Sequence, residues 1–249
     1  MVALLDLLNE RGALSLSFLA TSLGASAATI RRDVAQLAAQ GLLERTHGGC
    51  RPLQGSTELP VRLRDAKQAD AKKAIAQRIA REIPPGKHML ALTGGSTVAA
   101  VLRSLEHRTD LTIITNSISI GLAAAEQGQS RVLIAGGVLR PSSLELVGAL
   151  TEETMKLVNV GTAIVGVSGC SVEAGFTGHD ETEARTNLLM LEHAQRVIVV
   201  MDSTKLGQSA KAKIVGLDKV DLLVTDDRAD PERLEKLRRA GLQVAVVKV

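Results

Sequence analysis

Aromatic side chains are almost missing: Phe18 and Phe176 are the only two, with no Trp and no Tyr. Single-stranded nucleic acids are held on aromatic stacking platforms, which argues against that class of partner. A sugar ring likewise finds no indole or phenol to stack on, so polar groups must recognise it. Cysteine is scarce too. Cys50 and Cys170 stand far apart without C-x-x-C spacing, which indicates neither a disulfide framework nor a zinc site. The histidines (His47, His88, His107, His179 and His193) show no metal-ligand spacing. No metal and no cofactor is expected. No apolar run approaches a membrane span. The N-terminus lacks the charged start and small-residue cleavage site of a secretory signal. A membrane is therefore not an expected partner, and the expected location is cytoplasmic.

Strong charge of either sign is also lacking. The net charge is +3. Residues 1–60 carry Arg11, Arg31, Arg32, Arg45 and Arg51 against Asp6, Glu10, Asp33, Glu44 and Glu58, a near-neutral balance. Between Ser26 and Arg51 the arginines outnumber the acids, so a local basic face exists but not a broad one. Phosphate neutralisation supplies most non-specific affinity for DNA. One such head would bind weakly, and several heads acting together are needed. This points to a homo-oligomer, a dimer or a tetramer.

Residues 26–41 read SAATIRRDVAQLAAQG. Ser26 suits an N-cap, and Gly41 suits a left-handed terminator. Ile30, Val34 and Leu37 fall at i, i+4 and i+7, one apolar stripe. Ala28, Arg32, Ala35 and Ala39 point away from it, with Thr29 and Gln36 beside them. Small residues let a helix approach base edges, and an arginine pairs bidentately with guanine. Arg31 lies at the rim of that face, where a phosphate would be. A surface helix with two solvated arginines is the plainer alternative. The neighbours favour the first reading. A short helical segment at 17–23 and a Gly24-Ala25 turn precede Ser26, which makes a helix-turn-helix. Residues 42–46 and the His47-Gly48-Gly49 turn read as a wing, with Arg45, His47 and Arg51 available for phosphates.

The run Thr29-Ile30-Arg31-Arg32-Asp33-Val34, with Leu37, Gly41-Leu42-Leu43, Arg45 and His47-Gly48-Gly49, resembles the N-terminal signature of the DeoR family of bacterial transcription regulators. Several fixed spacings over about twenty residues make this more specific than one short motif. The resemblance implies a repressor of carbohydrate-metabolism genes whose partner is a double-stranded DNA operator. The DNA-contacting set is then Ser26, Ala28, Thr29, Arg31, Arg32, Gln36, Arg45 and His47.

Residues 2–10 read as a first helix and 14–16 as a small strand. Pro52, Gly55, Ser56, Thr57 and Pro60 mark a linker at 52–66. At 67–83, Ala71, Ile75, Ile79 and Ile83 recur every four residues, an amphipathic helix. Its charges, with Arg62 and Arg64 before it, read as a solvated face more readily than as a DNA contact. From 88 onward short Val/Ile/Leu runs (88–92, 111–115, 131–135, 162–167, 196–201, 220–225 and 243–247) alternate with helical stretches. That alternation predicts a mainly parallel sheet covered on both faces. The expected organisation is a winged helix-turn-helix at 1–51, the linker, and an α/β effector-sensing and oligomerisation domain at 67–249.

Ligands of such sheets bind beyond the carboxyl ends of the strands. The first strand is followed by Thr93-Gly94-Gly95-Ser96-Thr97 opening a helix, an arrangement suited to an anion, though it is neither a Walker loop nor G-x-G-x-x-G. The next strands end in Thr115-Asn116-Ser117, Gly136-Gly137 and Asp202-Ser203-Thr204-Lys205. Lys205 has two readings, a phosphate contact or a partner for Asp202. The candidate effector site is Thr93, Gly94, Gly95, Ser96, Thr97, Asn116, Ser117, Gly136, Gly137 and Lys205. The same order, with Val165-Gly166-Val167-Ser168-Gly169, looks like the DeoR C-terminal sensor domain. That resemblance implies a fold similar to ribose-5-phosphate isomerase and CoA transferases, and a phosphorylated sugar or related metabolite as effector. Two departures each remove a carboxylate: Leu90-Ala91-Leu92-Thr93 lacks the family's Asp before the loop, and Gly166-Val167-Ser168-Gly169 stands for Gly-Ala-Asp-Gly. The rival functions are a sugar-phosphate isomerase carrying a DNA-binding-like head, and a head used only for protein contacts. Isomerisation needs a base and acid groups at the reacting carbons, and the strand-end loops offer few carboxylates. No catalytic residues and no enzyme activity are expected.

Overall fold

The computed structural model describes all residues except 54–57 and 129–130. Gly55, Ser56 and Thr57 of the expected linker lie outside the described residues. The chain forms two compact units, Met1–Lys67 and Gln68–Val249.

The first unit comprises α1 (Val2–Arg11), β1 (Leu14–Ser15), α2 (Leu16–Ser22), α3 (Ala27–Ala39), β2 (Leu43–Thr46), β3 (Gly49–Pro52) and α4 (Val61–Arg64). The Ser15 hydroxyl accepts a bond from the Phe18 amide at 3.1 Å, so α2 begins slightly earlier than the sequence suggests. The Ser26 hydroxyl caps α3 by accepting from the Thr29 amide at 3.1 Å. The far end of α3 is a Schellman motif: Gly41 N–H donates to Ala38 O at 2.9 Å and Leu42 N–H to Leu37 O at 3.0 Å. Gly41 carries the left-handed φ of 65° that this closure requires. Strand β3 lies between β1 and β2 in an antiparallel sheet. A Cβ at Gly49 would run into the Leu14 carbonyl oxygen, so glycine is what lets β1 pair there. Leu4, Leu8, Leu19, Ile30, Leu37 and Cys50 form the head's own core. Leu59 and Leu63 pack against it, Val61 is buried, and Lys67 pairs with Asp6. The described part of the expected linker thus belongs to the head, with a helical turn in its last third.

The second unit begins with α5 (Ala69–Ala80), β4 (His88–Leu92), α6 (Ser96–Ser104), β5 (Leu111–Thr115), α7 (Ile118–Glu126), β6 (Arg131–Ile134), β7 (Val138–Arg140), β8 (Glu145–Val147) and α8 (Ala149–Lys156). It continues with β9 (Val160–Gly166), β10 (Gly169–Ser171), β11 (Gly175–Gly178), α9 (Glu181–Glu192), β12 (Ala194–Val200), β13 (Ala212–Val215), β14 (Leu222–Asp226), α10 (Pro231–Arg239) and β15 (Val244–Val247). The seven expected strands form one parallel sheet in the order β15-β14-β12-β9-β4-β5-β6. Alternate residues feed opposite faces. Leu90, Leu92, Ile164, Ile198 and Val200 pack with α5 and α6 on one side. Ala91, Ala163, Val165, Val197 and Val199 pack with α8, α9 and α10 on the other. Both faces of the five inner strands are covered, which is why these read as nearly continuous apolar runs, while the edge strands β6 and β15 contain no buried residue.

Two small additions escape the sequence pattern: the hairpin of β7 with β8, and the antiparallel set β10-β11-β13. Phe176 sits on β11, fully buried in the second face. Burial pushes the Cys170 thiol up to about 12, and burial raises the Cys50 thiol as well.

The basic residues around α5 are largely engaged within their own unit. Arg64 pairs with Glu58 at 3.3 Å, Lys72 is buried, and Arg78 pairs with Glu82. Glu82 also takes Arg196 of β12, tying the end of α5 to the sheet. Burial alone would raise the Glu82 carboxyl, but hydrogen bonds from Arg196 and Arg78 outweigh it and hold the group below the ordinary range. A carboxylate depressed in this way contributes stability above its unfolded pKa and loses it as pH falls through the folded value. Glu82→Gln is expected to cost about 1–2 kcal/mol near neutrality, a figure discounted for the partly exposed arginines. Urea titrations should show the gap from wild type closing below a pH of about 4. A gap independent of pH would mean that the loss is one of packing.

Candidate nucleic-acid interface and ligand-binding strand ends

The head presents one continuous candidate face. Ile30, Val34 and Leu37 of α3 turn into the core. Ser26, Ala28, Thr29, Arg31, Arg32 and Gln36 are all exposed, as are Arg45 and His47 on the wing. Among the described residues the side chains of Arg31, Arg32, Arg45 and His47 form no ion pair or hydrogen bond with the chain. Ser26 and Thr29 are coupled, their hydroxyl oxygens 2.8 Å apart, so both help to start the helix as well as facing outward. Arg51 differs from expectation. It stands opposite Glu44 in the β2–β3 ladder and donates to it from Nε at 2.9 Å and Nη2 at 2.7 Å. The pair is half exposed and worth under about 1 kcal/mol, but it turns that cation toward an internal acid. Arg11 lies over the Phe18 ring, 5.7 Å from its centroid.

In the second unit the chain runs from β4 outward to β5 and β6, then returns to place β9 on the other side of β4. The ends of β4 and β9 are therefore the topological switch point, where a crevice opens in sheets of this kind. Thr93 stands there and is engaged: Gly166 N–H donates to its hydroxyl oxygen at 3.1 Å, and that hydroxyl donates to Gly94 O at 3.2 Å. Gly95 has φ 110° and serves as the N-cap position of α6. The first-turn amides of α6 have no acceptor within the helix, as at any helix start. Ser96 and Thr97, both nearly buried, form no side-chain hydrogen bond among the described residues.

At the end of β5, Ser117 caps α7 by accepting from Ile120 N–H at 3.4 Å. Asn116 donates from Nδ2 to Leu146 O at 3.3 Å and to Asn187 Oδ1 at 3.5 Å. Its Oδ1 is buried and has no hydrogen-bond partner among the described residues. Gly136 accepts from the Thr151 hydroxyl at 2.6 Å. A side chain at Gly137 would collide with Thr151 and with the Val147 main chain, so glycine there serves close packing. Lys205 closes a 3-10 turn after β12. Strand β9 separates β12 from β4, roughly 10 Å at the backbone. Lys205 does not pair with Asp202. The Asp202 carboxylate instead accepts from the Thr204 amide at 3.2 Å and from the Thr204 hydroxyl.

Two residues of this edge carry no local signal in the sequence. Glu145, at the start of β8, is 3% exposed, and its Oε1 accepts from Gly94 N–H at 2.8 Å. A carboxylate therefore sits in the cradle whose own loop has none. Arg140, opposite Glu145 in the hairpin, reaches Glu183 at 3.0 Å and Asp180 at 3.5 Å, bolting the hairpin to α9. Asp180 caps α9 through the amides of Thr182 and Glu183. Burial pushes the Asp180 carboxyl upward, but those amides and Arg140 outweigh it and hold the group low. Among the described residues no cluster of His, Cys, Asp and Glu has the arrangement of a metal site.

A winged helix-turn-helix joined to a parallel α/β domain with an open strand edge defines a DNA-binding regulator with a sensing domain. The model of the DeoR-like helix-turn-helix domain matches residues 2–54, and that of the DeoR C terminal sensor domain matches residues 67–227. The chain belongs to the DeoR family of transcription regulators. Its relatives include the HTH-type transcriptional regulator GlpR of Haloferax volcanii, 32% identical over 97% of this chain and 94% of that protein. They also include the glycerol-3-phosphate regulon repressor of Escherichia coli, 30% identical over 90% of this chain and 88% of that protein. Among solved structures, ribose 5-phosphate isomerase A of Methanocaldococcus jannaschii superposes with a TM-score of 0.42 at 15% identity. That match spans 56% of this chain and about half of the other, 55%; likeness at this level carries no inference about chemistry. No helix among the described residues is long and apolar enough to cross a membrane.

Proposed function

We propose that this protein represses carbohydrate-metabolism genes by binding a two-half-site operator, and that a phosphorylated sugar or related metabolite at the sensor's strand ends controls that binding. The observation that carries the first half is the outward face of α3, where Arg31 and Arg32 stand exposed without an internal partner. Arg32 reads a base edge, Arg31 a phosphate, and Arg45 and His47 approach the backbone from the wing. The near-neutral head supports an oligomer, because paired heads on paired half-sites multiply a weak contact. The cytoplasm is the place of action. The second half rests on the bare amides of α6, the hydroxyls of Ser96 and Thr97, the open Oδ1 of Asn116 and the free ammonium of Lys205. Gly94, Gly95, Gly136 and Gly137 let the backbone come close, while Thr93 and Ser117 brace the edge. Relatives named for a glycerol-3-phosphate regulon agree with this ligand class.

A ligand at a hundred times its dissociation constant stabilises a fold by about 2.7 kcal/mol. A thermal-shift screen of sugar phosphates on the full chain should therefore give a hit, with a smaller shift for Lys205→Ala. A gel shift on the DNA beside the protein's own gene should then change with that hit, since a regulatory ligand must favour one state of the heads. Light scattering should give at least a dimer. Turnover of pentose phosphates, or DNA binding insensitive to salt, would remove the proposal.

A further inference from the structure

We propose that Glu145 is a built-in competitor for the anion cradle: in the ligand-free chain it holds the cradle's Gly94 amide, and a phosphoryl group gains that amide only by displacing it. This rests on the reading of the strand ends as a phosphate site. The Glu145 carboxylate accepts the Gly94 amide at 2.8 Å, and the residue is 3% exposed. A Cβ on Gly94 would lie 2.6 Å from both Cγ and Cδ of Glu145, so the glycine leaves room for this side chain in particular. The backbone that delivers it is fixed. Leu144 adopts a left-handed φ of 57° just before Glu145, Leu146 N–H donates to Asn116 O at 2.7 Å, and Ile118 N–H donates to Leu144 O at 3.0 Å. Displacement is therefore a swing of the side chain, while β8 stays paired to the end of β5.

A carboxylate and a phosphate dianion cannot share one cradle without mutual repulsion. A ligand must then bring a second contact to offset the eviction. The segment paired to β8 offers one: among the described residues Asn116 Oδ1 is buried without a donor, while its Nδ2 donates to Leu146 O at 3.3 Å. That acceptor calls for a ligand hydroxyl. The ligand class is a small polyhydroxylated compound with one phosphoryl group, and the competitor makes the sensor indifferent to phosphate alone.

The test uses the full chain in phosphate-free buffer with inorganic phosphate as the probe. Wild type, Glu145→Gln and Glu145→Ala are compared by melting and by titration calorimetry, with the Gly94 amide followed by NMR. Phosphate should bind both variants at least tenfold more tightly than wild type, as removal of a like charge nearby requires. Glu145→Ala should melt below wild type without phosphate and recover in its presence, with the Gly94 amide responding. Should the alanine variant fail to fold, the isosteric glutamine variant decides. Equal phosphate affinity in all three proteins overturns the competitor while the phosphate site stands. Binding by wild type that is lost in the variants overturns it too, and makes Glu145 a ligand contact. Folded variants that ignore phosphate, with a silent Gly94 amide, remove the phosphate site and the competitor with it.

Discussion

Arg32→Ala is expected to lower operator affinity by about 1–3 kcal/mol for each head, so by about 2–6 kcal/mol for a complex with two heads. That is roughly thirtyfold at the least. The expectation follows from the helix face. Ile30, Val34 and Leu37 lock the rotation of α3 against the head core, and Arg32 projects from the opposite side, fully available. An exposed side chain without internal partners can be removed without harm to the fold, so circular dichroism should be unchanged. Sequence preference should relax at one base position of each half-site. Arg31→Ala gives the contrast. As a phosphate contact it should weaken every sequence alike and flatten the salt dependence. Competition gel shifts across operator variants at several salt concentrations separate the two outcomes. If Arg32→Ala leaves affinity and base preference intact, the outward face of α3 is not the reading face.

Phe176→Ala should cost the sensor about 3–5 kcal/mol, a large part of the stability of an ordinary domain. Phe176 is the largest fully buried side chain among the described residues, in a face otherwise built from aliphatic, methionine and cysteine side chains. It lies at the β11 position where the ladder to β13 shifts register, between Phe176 and Thr177. Neither neighbouring strand slides easily to fill the space, because the Thr177 hydroxyl holds the Ala210 amide at 2.9 Å and Gly175 is crowded by Val215 O. The cavity should stay open. Urea unfolding should show the midpoint of the sensor transition falling sharply. The head transition should hold its place, since its core contains neither Phe176 nor any residue beyond 67. A loss under about 1 kcal/mol would show that β10, β11 and β13 collapse around the gap after all.

The head was legible because its signals are local. Ser26 and Gly41 bound a helix with a single stripe, and the structure puts caps at both. The parallel sheet was legible for a different reason: its inner strands are buried on both faces and largely apolar, and seven short apolar runs need no pairing information to be counted. The hairpin β7–β8 was not, since three-residue strands show no period and their turn relies on the non-glycine Leu144 at positive φ. The strand-end site was half legible. Thr93 and Ser117 lie where expected, yet their oxygens serve the backbone. The Thr93–Thr97 loop has no carboxylate of its own, but Glu145 brings one from 51 residues away in sequence. Only the sheet order places it beside Gly94. Likewise Arg64 and Arg78 read as part of a solvated charged face, because their acids, Glu58 and Glu82, meet them only once the chain has turned.

The two thiols have a practical consequence for measurement. Cys50 and Cys170 are both fully buried, and the reactive form of each is suppressed by its apolar surroundings. The wild-type chain therefore offers no native background to maleimide dyes or spin labels while it stays folded. A cysteine introduced on the wing or on the α7 surface becomes a single addressable point, and a label there reports on that unit without first removing either native residue.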